Sequence, residues 1–125
     1  MTADGSTLAW LRAVADEPYA YLTTTGRVSG APHEIEIWFA VDATTIFLLA
    51  ERRDDADWVR NLQRRPEVSM RIAGRTVAGR GRVVAAGSAE DTRARTLVWH
   101  KYAVSGDDLT HWRDHALAVA VDVTP

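Results

Sequence analysis

Between Tyr21 and Phe39 the chain reads YLTTTGRVSGAPHEIEIWF, which brings Arg27, Ser29, Gly26 and Gly30 into one short loop between two strand-like runs. A guanidinium, a hydroxyl and backbone N–H groups next to glycine are the groups that bind phosphate oxygens. The loop is therefore the expected docking point of a phosphate-bearing ligand.

Other chemistry is thinner. No Ser/His/Asp or Cys/His nucleophile grouping can be assembled, and no P-loop or G-x-G-x-x-G turn is present; Gly79-Arg-Gly81 falls inside a strand pattern and lacks the strand-to-helix context of a dinucleotide fingerprint. His33 and His100 have the side chain that titrates near neutrality. His111 and His115 stand four apart, with Asp107 and Asp114 nearby, but a pair of exposed histidines on a short polar helix is the commoner use of that spacing, and no metal site is expected. Five tryptophans, Trp10, Trp38, Trp58, Trp99 and Trp112, serve either packing or stacking on a heteroaromatic ring. Trp38 stands out because alternation sets it beside Glu36, on the face opposite Ile35, Ile37, Phe39 and Val41.

The elements that must position these residues follow from periodicity. Leu8, Leu11 and Val14 at helical spacing, behind caps at Asp4 or Ser6, predict a helix over Ser6 to Ala15 that Pro18 ends. Strands are expected at Tyr19 to Thr25, His33 to Val41 and Thr45 to Ala50, close enough to form an antiparallel meander. Asp54, Asp55 and Asp57 would cap a helix carrying Trp58, Val59 and Leu62, stopped by Pro66. A strand with Val68, Met70 and Ile72 turns at Ala73-Gly74-Arg75 into another, Thr76 to Ala86. Ser88-Ala-Glu-Asp91 resembles a capping box for a helix with Ala94, Leu97, Val98 and Tyr102, and a last strand runs from Ala116 to Val123. On the fifth strand Val77, Gly79, Gly81, Val83 and Ala85 share a face almost bare of side-chain volume. A barrel bend or a helix against open backbone is one reading; a ligand ring or a partner subunit is the other. Six half-buried strands with two interrupting helices fit a small antiparallel barrel carrying helices on its outside.

Size and charge exclude several classes. With 125 residues the chain is expected to form one domain, residues 1–125. It has no cysteine, so disulfides, iron–sulfur clusters and thiolate zinc sites are ruled out. No basic segment precedes an apolar run at the N-terminus and no stretch is long enough to cross a bilayer, so a cytoplasmic protein is expected. The net charge is −2. Arginines concentrate between Arg52 and Arg82, as a GC-rich genome would give or as anion recognition would use. Arg71, Arg75, Arg80 and Arg82 lack interleaved aromatics, and no nucleic-acid partner is expected.

Thr24-Thr-Gly-Arg-Val-Ser-Gly30 with Pro32, Ile35-Glu-Ile-Trp-Phe39, Asp57-Trp-Val-Arg-Asn-Leu62 and Pro66-Glu-Val68, taken as an ordered set over about residues 19 to 86, resemble the deazaflavin (F420)-dependent nitroreductase family. That family lies within the flavin-binding split-barrel group that includes pyridoxamine phosphate oxidases. The resemblance implies a mainly β, six-stranded antiparallel split β-barrel, a homodimer, and F420 as cofactor, with FMN as the alternative. It implies hydride transfer to a small electron-poor acceptor such as a nitroaromatic, quinone or enone. Arg27, Ser29, Gly30, Trp58 and Asn61 are the cofactor-binding residues it implies; Trp38, from the alternation, and Arg52 and Arg53, from their charge, are expected beside them, and Tyr102 and His100 are the candidate proton donors. Where relatives have a glycine-rich turn after the third strand, this chain has Ala50-Glu-Arg-Arg-Asp-Asp55. That departure leaves a non-catalytic module binding a flavin, F420 or haem as the competing expectation.

Overall fold

A broken strand organises the molecule. The structure, a computed structural model, describes residues 5–124; the expected cap at Asp4 lies outside them. Helix α1 (Gly5–Val14) leads to β1 (Ala20–Thr25), which pairs antiparallel with β2 (Pro32–Ile37) in the register Ala20↔Ile37 to Thr25↔Pro32. After Trp38 and Phe39 the chain re-enters the sheet as β3 (Ala40–Asp42), now paired with β4 (Thr45–Ala50). Helix α2 (Asp57–Arg64), β5 (Glu67–Ile72), β6 (Arg75–Val83), α3 (Ala89–Tyr102), α4 (Thr110–His115) and β7 (Leu117–Val123) complete the order. The sheet runs β2-β1-β5-β6-β7-β4-β3, with every neighbour antiparallel.

The single second strand expected from alternation is thus two strands, on opposite edges of the sheet, and the count is seven rather than six. The meander is corrected in the same way, because β1 and β4 each pair with a different half of that strand. The cause lies at Phe39, whose ring is fully buried while its backbone leaves the ladder. Its N–H donates to Tyr102 Oη at 3.0 Å and its carbonyl accepts from Lys101 Nζ at 3.0 Å, so α3 satisfies the groups that a neighbouring strand would otherwise take.

Two apolar clusters hold the sheet. Leu22, Phe39, Ile46, Leu48, Met70, Ile72, Val119 and Val121 fill the concave side with Leu11 of α1 and Leu62 of α2. Phe47, Leu49, Val84, Ala118 and Ala120 meet Ala94 and Val98 of α3 on the other side. Strand β7 is consequently buried on both faces along most of its length, with alanines where α3 lies close.

The bare face of the fifth strand is filled from inside the protein. A Cβ on Gly79 would stand 2.6 Å from Val121 Cγ1 and 3.0 Å from the Asp122 carbonyl, and one on Gly81 3.4 Å from Leu62. Helix and strand, rather than a ligand ring, take that space. The acidic run differs from expectation too: Ala56 is the N-cap of α2, without a side-chain cap bond, and Asp54 and Asp55 lie in a 3-10 turn that holds the Arg60 guanidinium. Ser88 does cap α3, accepting from the Asp91 N–H at 3.1 Å. The four arginines weighed for nucleic acid are engaged within the chain: Arg71 with Glu34, Arg80 with Glu67, Arg82 with Glu90 and Asp122, and Arg75 over the Trp10 ring. No helix among the described residues is long and apolar enough to cross a membrane.

Candidate functional site

The barrel is open along one seam. Strand β3 covers only the Thr45–Phe47 half of β4, while Leu48–Ala50 faces β2 across a gap instead of a ladder. A groove follows that gap. Its wider section, about 840 Å³, is lined by the β1–β2 loop, by Glu51 and Arg52 after β4, and by Trp58 and Asn61 of α2. A smaller section of about 280 Å³ continues between Ile35–Trp38 and Leu49–Glu51, walled by Trp38, Trp58 and Trp112. Ile35, Glu51 and Trp58 line both sections.

Asn61 fixes the loop. It is 4% exposed, and its Oδ1 accepts from both the Arg27 N–H at 3.1 Å and Arg27 Nη1 at 2.8 Å, while its Nδ2 donates to Thr24 Oγ1 at 3.3 Å. Arg27 Nη2 reaches Asp57 at 3.2 Å, a carboxylate whose side chain is 83% exposed. An exposed pair of that kind is worth at most about 1 kcal/mol, so an incoming phosphate can displace Asp57, whereas the Asn61 contacts to Arg27 are part-buried and that to Thr24 is buried. The loop's own N–H groups are less available than the sequence suggested. Gly26 donates to the Ala31 carbonyl, Gly30 to the Gly26 carbonyl, and Ala31 to Ser29 Oγ. Anion recognition here accordingly falls mainly on guanidinium groups.

Arg27, Ser29, Arg52, Trp58 and Asn61 line the wider section, and Trp38 and Trp58 the smaller. Gly30 lines neither; it takes φ +73 and closes the loop. Arg53 turns away, its Nη1 donating to the His115 carbonyl at 2.7 Å. Its backbone holds φ +55, a left-handed conformation costing about 1 kcal/mol outside glycine, so the chain keeps a glycine-like turn after β4 without the glycine. Lining residues not singled out as cofactor ligands include His33, Glu34, Glu51 and Asp57, an imidazole and three carboxylates. For Glu34 the only sequence signal was proximity to the motif.

The candidate proton donors lie elsewhere. Tyr102 stacks on Trp38, ring centroids 4.2 Å apart and 6° from parallel, while Trp112 meets Trp38 edge-on at 5.6 Å. The Tyr102 hydroxyl donates to the Pro18 carbonyl and accepts from Phe39, which makes it a brace for the strand break. Burial raises its pKa, the Phe39 hydrogen bond opposing. His100 is exposed beside Trp99 and lines neither section. His111 and His115 stack at 4.0 Å, and among the described residues no group of three potential ligands could hold a metal.

Lys101, the chain's one lysine, sits 3.6 Å over the Phe39 ring, and half-burial lowers its pKa to about 8 against the pull of Asp16 and Glu17. Between about 8 and the usual lysine value near 10.5 the unfolded chain holds more protons than the folded one, so stability rises with pH across that window. Thermal melts at pH 7 and pH 9.5 should therefore show the wild type gaining on Lys101→Met by about 1 kcal/mol, after discounting for the exposed half of the group. Parallel pH profiles for the two proteins would show that the ammonium is not penalised.

The antiparallel sheet curled into a half-barrel and open along one seam is a split barrel in fold. The model of the F420H(2)-dependent quinone reductase family matches residues 5–124, and the chain belongs to that family. Its cofactor is F420, and the protein is an F420-dependent oxidoreductase by class. Among solved structures the chain is similar to an F420-H2 dependent reductase, FDR-A, at 17% identity and TM-score 0.69, over 84% of this chain and 94% of that one. It is similar to HutZ, the heme storage protein of Vibrio cholerae, at 15% identity and TM-score 0.74, over 94% and 89%. A FAD-binding protein of Mesorhizobium loti gives 13% identity and TM-score 0.66, over 100% and 93%. At such identities these likenesses concern the fold. No curated protein matches significantly.

Proposed function

We propose that this chain binds reduced F420 in the seam groove and passes a hydride to a small electron-poor acceptor, a quinone first, with nitroaromatics and enones in the same chemical range. The observation that carries this reading is the continuity of the groove, from an arginine clamped by a buried asparagine to a chamber of three tryptophans. The residues fit the cofactor's chemistry: Arg27 and Arg52, with Ser29 beside them, would hold its phosphate, and Trp58, which lines both sections, would flank its ring. When bound, F420 supplies the two electrons and proton of a hydride, and the second proton needed to make a quinol exchanges through solvent. The chain itself positions, excludes water and supplies charge, and no side chain of the groove is required as a proton donor. Glu34, Glu51 and Asp57 near the arginines weaken the anion site, which keeps a non-catalytic F420, FMN or haem-binding module as the second reading.

Titration with F420, FMN and haemin, followed by turnover of the F420H2-loaded protein on quinones and nitroaromatics, separates the two. Micromolar F420 binding with turnover is expected; tight binding of any ring without turnover selects the module. Arg27→Ala should weaken F420 binding by roughly 1.5–3 kcal/mol, the scale of a charge-assisted hydrogen bond. An unchanged dissociation constant would place the phosphate elsewhere. The same reading makes the protein a cytoplasmic homodimer. Val28, 93% exposed at the groove's rim, and Trp38 at 36% supply apolar surface for a second copy. Light scattering that gives the mass of one chain would remove the dimer from the proposal.

A further inference from the structure

Resting on the redox reading of the groove, we infer that the smaller section is the acceptor's chamber and that it selects by charge, taking uncharged or cationic planar acceptors and turning away anionic ones. Three observations meet there. Its walls are aromatic: Trp38, Trp58 and Trp112 line it, and Trp38 is held in place by Tyr102 stacked on one side and Trp112 set edge-on. A planar ring is the shape such walls hold, with stacking worth about 0.5–1.5 kcal/mol per pair beyond burial.

Among the described residues, the chamber's charged lining groups are the carboxylates Glu36 and Glu51 alone. Tyr21 donates a hydrogen bond to Glu36 at 3.1 Å, which orients that carboxylate without cancelling its charge. The arginines near this wall do not line it: Arg52 lines the wider section, Arg53 is tied to the His115 carbonyl, Arg71 lies over the Tyr21 ring and pairs with Glu34, and Arg113 pairs with Asp114. The two sections therefore differ in charge: guanidinium groups line the wider one together with Glu34, Glu51 and Asp57, whereas carboxylates without a lining guanidinium stand where the acceptor would sit. A sulfonated or carboxylated quinone would bring like charge against Glu36 and Glu51 and meet no cation in the lining, whereas a quaternary ammonium would meet both the carboxylates and the tryptophan faces. The reaction is the two-electron reduction of quinone to quinol by F420H2, so the selection acts on acceptor binding and leaves the electron balance unchanged.

The test uses naphthoquinones whose short alkyl chain ends in trimethylammonium, hydroxyl or sulfonate, so that the charge lies off the redox ring. Two carboxylates near the chain end should separate the cationic from the anionic compound by about tenfold or more in kcat/KM at low salt, with the neutral one between, and the gap should shrink at high salt. Glu36→Gln combined with Glu51→Gln should reduce the cation-to-anion ratio to about twofold; both residues are exposed, and melting curves would confirm folding. Quenching of tryptophan fluorescence by the same compounds reads their binding order without turnover. If no quinone oxidises F420H2 but quenching still ranks cation over anion and the double variant loses that ranking, the redox reading fails and the charge selection stands. Equal use and equal quenching by the anionic and neutral compounds, or a ratio that survives the double substitution, would overturn it.

Discussion

Asn61→Ala should be the most damaging single change at the groove, lowering stability by about 2–4 kcal/mol and F420 affinity by tenfold or more. The side chain makes three hydrogen bonds from a buried position, two to Arg27 and one to Thr24, itself 1% exposed. Truncation strands the buried Thr24 hydroxyl and leaves the part-buried Arg27 N–H without its acceptor, and an orphaned buried group costs about 1–3 kcal/mol. At this chain length each kcal/mol lowers Tm by about 4 °C. Thr24→Val removes only the donor bond and leaves Arg27 in place, so its cost should stay near 1 kcal/mol with F420 affinity unchanged. Melting curves and F420 titrations of both variants distinguish loop placement from packing. Equal affinities for Asn61→Ala and the wild type would show that Asn61 does not set the anion site.

Gly79→Ala should destabilise the barrel by roughly 1–3 kcal/mol, because the new methyl meets a neighbouring backbone carbonyl at 3.0 Å as well as Val121 at 2.6 Å, and the carbonyl belongs to a strand that cannot yield alone. Gly81→Ala, two residues along the same face, meets only the Leu62 side chain at 3.4 Å, ordinary contact distance. The alanine also restricts the unfolded chain, so that substitution should fall within about 0.5 kcal/mol of neutral. Chemical denaturation of the two variants checks the contrast, and two equal losses would mean that the backbone clash is relieved by movement of β7.

Much of the fold was legible because alternation and punctuation are local signals. Ile35, Ile37 and Phe39 announced a strand, Ser88 and Asp91 a cap, and Pro66 a helix end. The strand break was not legible, since Trp38 and Phe39 continue the same alternation and the groups that pull Phe39 out of the ladder, Lys101 and Tyr102, lie more than sixty residues away. Asn61 was placed by resemblance alone. Its position on α2 says nothing about Thr24 or Arg27 until the helix crosses the mouth of β1. The direction of Arg53 was not legible for a similar reason: it directly follows Arg52, and only a left-handed backbone angle decides which of the two faces the groove.

Because Ile35 to Asp42 is one run of chain that forms a groove wall and then hydrogen-bonds to the strand of the far wall, the width of the opening is tied to a three-residue ladder. A molecule that wedges the walls apart must loosen Ala40–Asp42 from Thr45–Phe47, and one that draws them together tightens it. Amide exchange at those few positions would then act as a calliper on whatever occupies the seam.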